Sequence, residues 1–239
     1  MQNQPIAPAR HKAPKMAFND LRNAEAWVFD LDNTLYPATI DLFGQIDVKM
    51  RDYIAEFLEV DKDQAYRLQK EYFHDYGTSL RGLMRRHGMD PGPFLDHVHD
   101  IDINVLSASP ALAAALDRLP GRKLVFTNAS VGHAERVMDR LGITHHFDAV
   151  FDIIEAEYVP KPNPEIYPIL VERHGLNAAR TVMVEDMARN LGPAAALGMT
   201  TAWVRSDSEN GAAGVDDGYV HHVVDDLVEW LEHVVGGRV

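Results

Sequence analysis

The apolar residues between 39 and 104 recur with the period of a helix. Leu42, Ile46 and Met50, for example, follow one another at four-residue intervals, which is typical of an amphipathic helix. The same spacing, together with glycines placed to end each segment, predicts helices over 41–58, 64–76, 78–88 and, after a turn at 90–93, 94–98. No strand pattern interrupts this stretch, so a small helical domain is expected here.

On either side of this stretch, short apolar runs alternate with helical patterns. The first run, 27–29, leads into Asp30, and Pro37 stops any continuation. Runs that are apolar throughout and separated by helices are typical of a parallel sheet covered by helices on both faces. Later strands are predicted at 123–126, 150–154, 181–184, 200–204 and 220–224, and helices at 111–119, 131–141, 164–174, 188–197 and 226–235.

These patterns predict an α/β fold, a doubly wound parallel (Rossmann-like) sheet core with an inserted α-helical cap. The core is expected at 20–38 and 105–239, and the cap at 39–104. Residues 1–19 are rich in Pro and Ala and are expected to form a disordered tail, with a transit peptide as the alternative. The polar, Gly-rich stretch 206–218 is expected to be a loop.

The composition narrows the classes of protein and of site. The chain has 239 residues, 46% of them hydrophobic, and a formal net charge of −13 from 23 basic and 36 acidic side chains. This acidic balance disfavours binding to nucleic acid or to an anionic membrane, since both require a basic surface. The lack of cysteine excludes disulfides, thiolate metal ligands and Cys nucleophiles, and no apolar run is long enough to span a bilayer. A cytoplasmic protein is therefore expected.

Polar side chains occur at the ends of four predicted strands, or in the loops that follow them. Each has a simple explanation when it is taken alone: a turn, a helix cap or a solvated charge. In an open α/β sheet, however, the carboxyl ends of the strands converge on one crevice, where ligands bind. The conjunction therefore predicts a single site formed by Asp30, Asp32, Thr127, Asn128, Lys161, Glu185 and Asp186.

The residue types at this edge suit the transfer of a phosphoryl group. Asp30 is the best candidate for the nucleophile, because a carboxylate can form a phosphoaspartate. Asp32 is placed to protonate the leaving group and then to activate water. Lys161 and Thr127 offer a cation, a hydroxyl and a backbone N–H to the phosphoryl oxygens. Asp186 and Asp30 offer the hard oxygen ligands that Mg²⁺ prefers.

Other kinds of catalytic site have no support in the sequence. The twelve histidines include no pair with helix-face metal spacing. Ser130 lacks the Gly-x-Ser-x-Gly context of a serine hydrolase, and there is no Gly-rich nucleotide-binding loop.

The chain resembles the haloacid dehalogenase superfamily of phosphohydrolases. The resemblance rests on Asp30-Leu31-Asp32-Asn33-Thr34-Leu35, Thr127-Asn128, Lys161-Pro162-x-Pro164 and Glu185-Asp186-x-x-x-Asn190, which occur in the family's order. It implies that Asp30 attacks phosphorus and that Asp32 is the acid/base. It further implies that Mg²⁺ is held by Asp30, Asp186 and the backbone carbonyl of Asp32. The dehalogenase branch lacks the second Asp of the first motif, so Asp32 favours phosphoryl transfer.

The predicted cap carries a second, narrower resemblance. Residues 30–37 and 76–83 are similar to pyrimidine 5′-nucleotidases, whose cap selects the nucleoside, and this implies UMP and CMP as substrates. Tyr72 or Tyr76 could stack on a base, and Arg81 could pair with a base edge or a phosphate. The alternatives are a phosphatase of another small metabolite (a phosphosugar, phosphoglycolate or pyridoxal phosphate), a phosphomutase or, least favoured, a non-catalytic binding module. The oligomeric state stays open.

Overall fold

Six parallel strands form one sheet within residues 16–206 and 211–236, the part of the chain that a computed structural model describes. Their order across the sheet is β3-β2-β1-β4-β5-β6. β1 lies in the middle and pairs with β2 and β4, as expected where a doubly wound sheet reverses its order. The predicted fold class is confirmed. The strands are β1 Ala26–Phe29, β2 Arg122–Phe126, β3 Ala149–Phe151, β4 Thr181–Glu185, β5 Thr200–Val204 and β6 His222–Val224.

The alternation of side chains explains why β1 is apolar throughout. Trp27 and Phe29 belong to one buried cluster, and Ala26 and Val28 belong to another on the opposite face of the sheet. Since helices cover both faces, neither set of side chains faces water. The helices of the core are α5 Pro110–Arg118, α6 Val131–Leu141, α7 Ile166–His174, α8 Leu191–Ala196 and α9 Leu227–Gly236.

Four helices between β1 and α5 form the cap, which contributes most of a third apolar cluster. Their ends follow the sequence signals: Asp61, Thr78 and Asp90 each accept a hydrogen bond from the first turn of a helix. Gly77 and Gly88 end two of the helices in the left-handed conformation. The cap helices are α1 Leu42–Leu58, α2 Lys62–Tyr76, α3 Ser79–His87 and α4 Pro91–Val98.

Local hydrogen bonds explain why β3 and α4 differ from their predicted bounds. β3 ends at Phe151, although a strand was predicted to 154. The Asp152 carboxylate accepts from the N–H groups of Val131, Ile154 and Glu155, and so turns the chain out of the sheet. α4 begins at Pro91, where a turn was predicted, because the Asp90 side chain caps it and Pro fits the first turn.

The N-terminal segment also differs from prediction within the residues that the structure describes. Residues 1–15 of the predicted tail and residues 207–210 of the predicted loop lie outside the described residues. The predicted tail includes Phe18, which instead begins a 3-10 helix and contacts Trp230 edge to face. The backbone N–H of Met16 donates to Thr200 in β5, so the chain packs on the core from residue 16 onward. Among the described helices, none has the length and apolar character needed to cross a membrane.

Candidate active site

β1 delivers Asp30 to the carboxyl edge of the sheet. The backbone N–H of Asp30 donates to Val184 of β4 at 2.9 Å, so the residue continues the ladder beyond the strand itself. The chain then turns sharply through Asn33, whose φ of 63° lies in the left-handed region that Asn tolerates. This turn brings the Thr34 hydroxyl back to donate to Oδ2 of Asp30 at 3.0 Å. The backbone of Asp30 is therefore fixed by β4, and its buried carboxylate is fixed by Thr34 after the turn.

Lys161 joins the ends of three strands. Its Nζ donates to Oδ1 of Asp30 at 2.6 Å, to Oε2 of Glu185 at 2.7 Å and to the carbonyl of Phe126 at 2.8 Å. These three bonds use every donor of the ammonium. Burial by itself would lower the pKa of Lys161, but Asp30 and Glu185 outweigh burial and raise it. The ammonium therefore stays charged inside the protein.

The carboxylates at this edge outnumber their cation. One oxygen from each of the buried residues Asp30, Glu185 and Asp186 lies within 4.8 Å of the others. Burial raises the pKa of Asp30 to about 7, and Glu185 adds to the rise, although Lys161 opposes both. Burial, with Glu185 and Asp30, raises the pKa of Asp186 well above its usual range. The site therefore favours an additional positive charge.

The donor set fits a Mg²⁺ ion. Carboxylate oxygens are the hard ligands that Mg²⁺ prefers, and Asp30 and Asp186, both predicted ligands, lie in the cluster. The side-chain oxygen of Asn190, four residues after Asp186, is buried and has no hydrogen-bond partner among the described residues. The backbone carbonyl of Asp32 stays a predicted ligand.

Asp32 has a different environment from Asp30. Its Oδ1 accepts hydrogen bonds from the Tyr36 hydroxyl at 2.7 Å and from Nε2 of His133 at 2.9 Å. Burial by itself would raise the pKa of Asp32, but His133 and the hydrogen bond from Tyr36 outweigh it and hold the pKa below its usual value. The pKa of Asp30 is therefore raised, whereas the pKa of Asp32 is lowered.

The Thr127-Asn128 pair is placed at the end of β2, as predicted, but its groups are used differently. The backbone N–H of Thr127 donates to Phe151 at 3.0 Å, so it is not free for a phosphoryl group. Its hydroxyl oxygen accepts from Ala129 at 3.0 Å, which leaves the hydroxyl proton to donate. The side-chain amide of Asn128 makes two hydrogen bonds to the backbone of Lys161. It accepts from the N–H at 2.8 Å and donates to the carbonyl at 3.4 Å. The Asn128 side chain thus positions Lys161, and since its amide has a second proton, its contact with a substrate stays a prediction.

The predicted cap residues divide between a cleft and the cap interior. Tyr76 and Arg81 line a cleft of about 500 Å³ between the cap and the loop that follows Lys161. Tyr72 does not: it is 1% exposed, its hydroxyl hydrogen-bonds to His87 at 2.7 Å, and the prediction that it stacks on a base is wrong. The cleft is lined by His74, Asp75, Tyr76, Gly77, Arg81, Arg85, Pro162, Asn163, Pro164 and Arg189.

Sequence reasoning missed three residues of the site. His133 and Tyr36 bind Asp32, and Arg189 brings a third arginine to the cleft and stacks on Phe73 of the cap at 4.6 Å. A signal existed for His133, because it lies in the first turn of the helix that follows β2, and such turns face the crevice. Arg189 could have been found from its position between Asp186 and Asn190.

Comparison with known proteins agrees with this geometry. Residues 24–198 match the model of the haloacid dehalogenase-like hydrolases. Phosphate metabolism protein 8 of Saccharomyces cerevisiae is 26% identical over 228 residues, which cover 88% of this chain and 65% of the yeast protein. This chain thus matches less than two thirds of that relative's length.

Solved structures show the same fold at lower identity. A haloacid dehalogenase-type phosphatase from Thermococcus onnurineus superposes with a TM-score of 0.60 at 18% identity, over 90% of this chain and 99% of its own. The L-2-haloacid dehalogenase of Xanthobacter autotrophicus gives 0.55 at 21% identity, over 89% and 99%. With the family match spanning most of the core and the whole cap, the chain belongs to the haloacid dehalogenase-like hydrolases.

Proposed function

We propose that this protein is a Mg²⁺-dependent phosphomonoester hydrolase that works through a phospho-Asp30 intermediate. The observation that carries the proposal is the buried group of Asp30, Lys161 and Glu185 with Asp186 beside it. A carboxylate held by an ammonium at a charged crevice can attack an electrophilic phosphorus once the charges of the two anions are offset.

Asp30 and Asp32 divide the chemistry between them. In the first step an oxygen of Asp30 forms a bond to phosphorus while the bond to the leaving oxygen breaks, and Asp32 gives its proton to that oxygen. In the second step Asp32 takes a proton from water, which attacks the phosphoaspartate and releases inorganic phosphate. The lowered pKa of Asp32 keeps its carboxyl ionised, which is the form that can accept a proton. For the first step it needs a proton, which the negative charge of an arriving phosphate favours.

Other residues hold the reacting groups. Lys161 keeps Asp30 in place, and Asn128 keeps Lys161 in place. The free hydroxyl proton of Thr127 can donate to a phosphoryl oxygen. Asp30, Asp186 and the backbone carbonyl of Asp32 would hold Mg²⁺, which when bound offsets the repulsion between the carboxylates and the phosphoryl group.

For the substrate, we propose pyrimidine nucleoside monophosphates such as UMP and CMP. The cleft at the cap supports this choice, because it combines an aromatic ring, Tyr76, with the cations of Arg81, Arg85 and Arg189. An aromatic ring can stack on a base, and arginines can bind its polar edge or an anionic group. The cations also counter the overall negative charge of −13 at the place where an anionic substrate would arrive.

A panel of phosphorylated metabolites, assayed for released phosphate with Mg²⁺ and with chelator, tests the proposal. We expect release from UMP and CMP with Mg²⁺ and none with chelator. Asp30→Asn should lower the rate by more than about 10³-fold, because it removes the nucleophile. Comparable turnover of sugar phosphates would contradict the choice of nucleotides, and full activity of the Asn variant would contradict the covalent mechanism.

A further inference from the structure

Asp32 is held at one of its two carboxyl oxygens. Both Tyr36 and His133 donate to Oδ1, at 2.7 and 2.9 Å. Oδ2 has no hydrogen-bond partner among the residues that the structure describes, and 13% of the side chain is exposed. While Tyr36 and His133 both donate to Oδ1, the proton of the acid form lies on Oδ2, because Oδ1 already accepts two donors. Oδ2, which no described residue holds, is therefore the oxygen that can exchange a proton with a substrate.

Burial, its place in a capped helix and ring stacking together fix the position of His133. Its side chain is fully buried. Its backbone lies in the first turn of α6, and its N–H donates to the Ser130 hydroxyl, which caps the helix, at 3.4 Å. Its ring stacks on His99, with centroids 4.5 Å apart and planes inclined by 18°. The ring therefore has one orientation, in which Nε2 points at Asp32.

His99 is held by the same helix. Its Nδ1 hydrogen-bonds to the Ser130 hydroxyl at 3.0 Å, and its backbone carbonyl accepts from the Arg136 guanidinium. Because His99 follows the last cap helix, α4, the ring that covers His133 belongs to the segment by which the chain returns from the cap. The stack thus joins the return segment to the core beside Asp32.

The second ring nitrogen of His133, Nδ1, argues against a role in packing alone. Nδ1 is buried and has no partner among the described residues. An apolar side chain of similar size would avoid this unsatisfied nitrogen, whose burial has a cost in stability. Packing alone therefore does not explain a histidine at this position, whereas the bond from Nε2 to Asp32 does.

We propose that His133, together with Tyr36, is a positioning residue that holds Oδ1 of Asp32 so that Oδ2 delivers its proton to the leaving oxygen. The inference rests on the proposed hydrolysis through Asp30. In the step concerned, the bond between Asp30 and phosphorus forms, the bond to the leaving oxygen breaks, and the proton of Oδ2 moves to that oxygen. The released product is then a neutral alcohol and not an alkoxide.

The test compares two substrates with different needs for that proton. The first substrate is the alkyl phosphate of the panel that is hydrolysed best, such as UMP, whose leaving alkoxide must be protonated. The second is p-nitrophenyl phosphate, whose p-nitrophenolate leaves without protonation. In His133→Met we expect kcat/KM on the alkyl phosphate to fall on the order of 10²-fold, and that on p-nitrophenyl phosphate to fall by less than about 5-fold. Release of p-nitrophenolate should also show a burst, since Asp32 must still activate water in the second step.

Matched variants distinguish a positioning role of His133 from a purely structural one. His133→Gln, whose amide can still donate to Asp32, should recover most of the activity on the alkyl phosphate. His233→Met, at an exposed histidine of α9, should match the wild type on both substrates. Tyr36→Phe removes the other donor to Oδ1 and should show the same substrate dependence in a milder form, which keeps the test valid if His133→Met does not fold.

Two outcomes are decisive. Equal losses on both substrates in the folded variants, or no recovery with Gln, would overturn the positioning role. A wild-type protein that hydrolyses neither ester would instead contradict the proposed function, so the two failures can be told apart.

Discussion

Lys161 carries a full charge where water has almost no access, with 2% of its side chain exposed. Placing an ammonium in such a position costs several kcal/mol, which only good geometry and complete hydrogen bonding can offset. The three bonds to Asp30, Glu185 and Phe126 meet that requirement. Since one cation serves two carboxylates, full ionisation of the group leaves a net negative charge, which a further cation would offset.

His99 should make the stability of the protein depend on pH. Burial lowers the pKa of His99 from 6.5 to about 3, with a further contribution from His133. Between these two values the unfolded chain binds a proton that the folded protein does not, so stability falls as the pH falls through 6.5. From pH 7 to pH 5, wild type should lose about 1–2 kcal/mol more of its free energy of unfolding than His99→Asn does.

Urea unfolding at pH 7 and pH 5 measures this difference. His233→Asn is the matched control, because this exposed histidine should leave the pH dependence unchanged. Identical losses in wild type and His99→Asn would show that His99 takes up its proton in the folded protein as readily as in the unfolded chain.

The residues of the site differ in how well the sequence could predict them. Apolar runs predict the strands that precede Asp30, Asp32 and Lys161. The chemistry of these three side chains follows from their residue types. His133 lies 101 residues from Asp32 along the chain, and their contact depends on how α6 packs on the sheet. The role of Asn128 depends in the same way on tertiary contacts, since its amide binds a backbone 33 residues away.

At the scale of elements, α2 and α3 pack so closely that one position has no room for a side chain. A Cβ at Gly82 would overlap the Cβ and Cγ of Tyr72 in the facing helix. Gly82→Ala should therefore lower the free energy of unfolding by about 1–3 kcal/mol, as overpacking does elsewhere. Gly132 in α6 has no atom within 4 Å of a Cβ, so Gly132→Ala should be neutral or stabilise by up to about 1 kcal/mol.

Denaturant unfolding of both alanine variants would test the close approach. A Gly82→Ala protein as stable as Gly132→Ala would show that α2 and α3 can separate at little cost.

The position of Arg81 within α3 is not explained by the helix itself. It lies in the first turn, where the helix dipole disfavours a cation, and it shares one face with Arg85 four residues on, which adds repulsion. Both arginines line the cleft, so a ligand is the better explanation. Arg81→Ala should raise KM for the nucleotide about 10-fold, as expected for the loss of one charged hydrogen bond.

Steady-state kinetics on the nucleotide and on p-nitrophenyl phosphate measure the selectivity of this effect. The generic ester should be changed by less than about 2-fold, since it does not extend to the cap. Arg67→Ala, at an exposed arginine of α2 outside the cleft, is the matched control. A similar rise in KM for both substrates in Arg81→Ala would argue against a role in selecting the nucleotide.

Helices could be predicted from the sequence more fully than strands. The cap helices have a period of 3.6 residues together with side chains that cap them, such as Asp61 and Thr78, so periodicity and end signals agree. β3 was predicted too long, because apolar residues resume at Ile153 and Ile154, while Asp152 before them turns the backbone away. A run of apolar residues cannot show that a side chain within it will bind the backbone.

At the scale of the whole molecule, the site exists only because the sheet brings separate parts of the chain together. The alternation of strands and helices predicts a parallel sheet, but not the order β3-β2-β1-β4-β5-β6, which depends on the packing of both faces. That order places β1 between β2 and β4, so that Asp30 meets Lys161 and Asp186 at one edge. A general rule for such sheets predicts that the strand ends converge on one site, but it does not predict which side chains contact each other there.

The same convergence should link metal binding to the stability of the whole fold. Without a cation, the raised pKa of Asp186 means that its ionised form is held at a cost in the folded protein. Mg²⁺ at 100 times its Kd would stabilise the folded state by about 2.7 kcal/mol, which corresponds to a rise in Tm of about 5–10 °C for a chain of this size. Asp186→Asn should abolish that rise and, in chelator at pH 8, should melt above the wild type, because it removes one buried charge.

Thermal unfolding with Mg²⁺ and with chelator gives this readout without any assay of activity. Asp139→Asn, an equivalent change at an exposed position of α6, should keep the wild-type rise. If Asp186→Asn responded to Mg²⁺ as the wild type does, the ion would have to bind elsewhere. If it melted below the wild type in chelator, the carboxylates at the sheet edge would not repel one another as their raised pKa values indicate, and the case for a cation among them would fail with it.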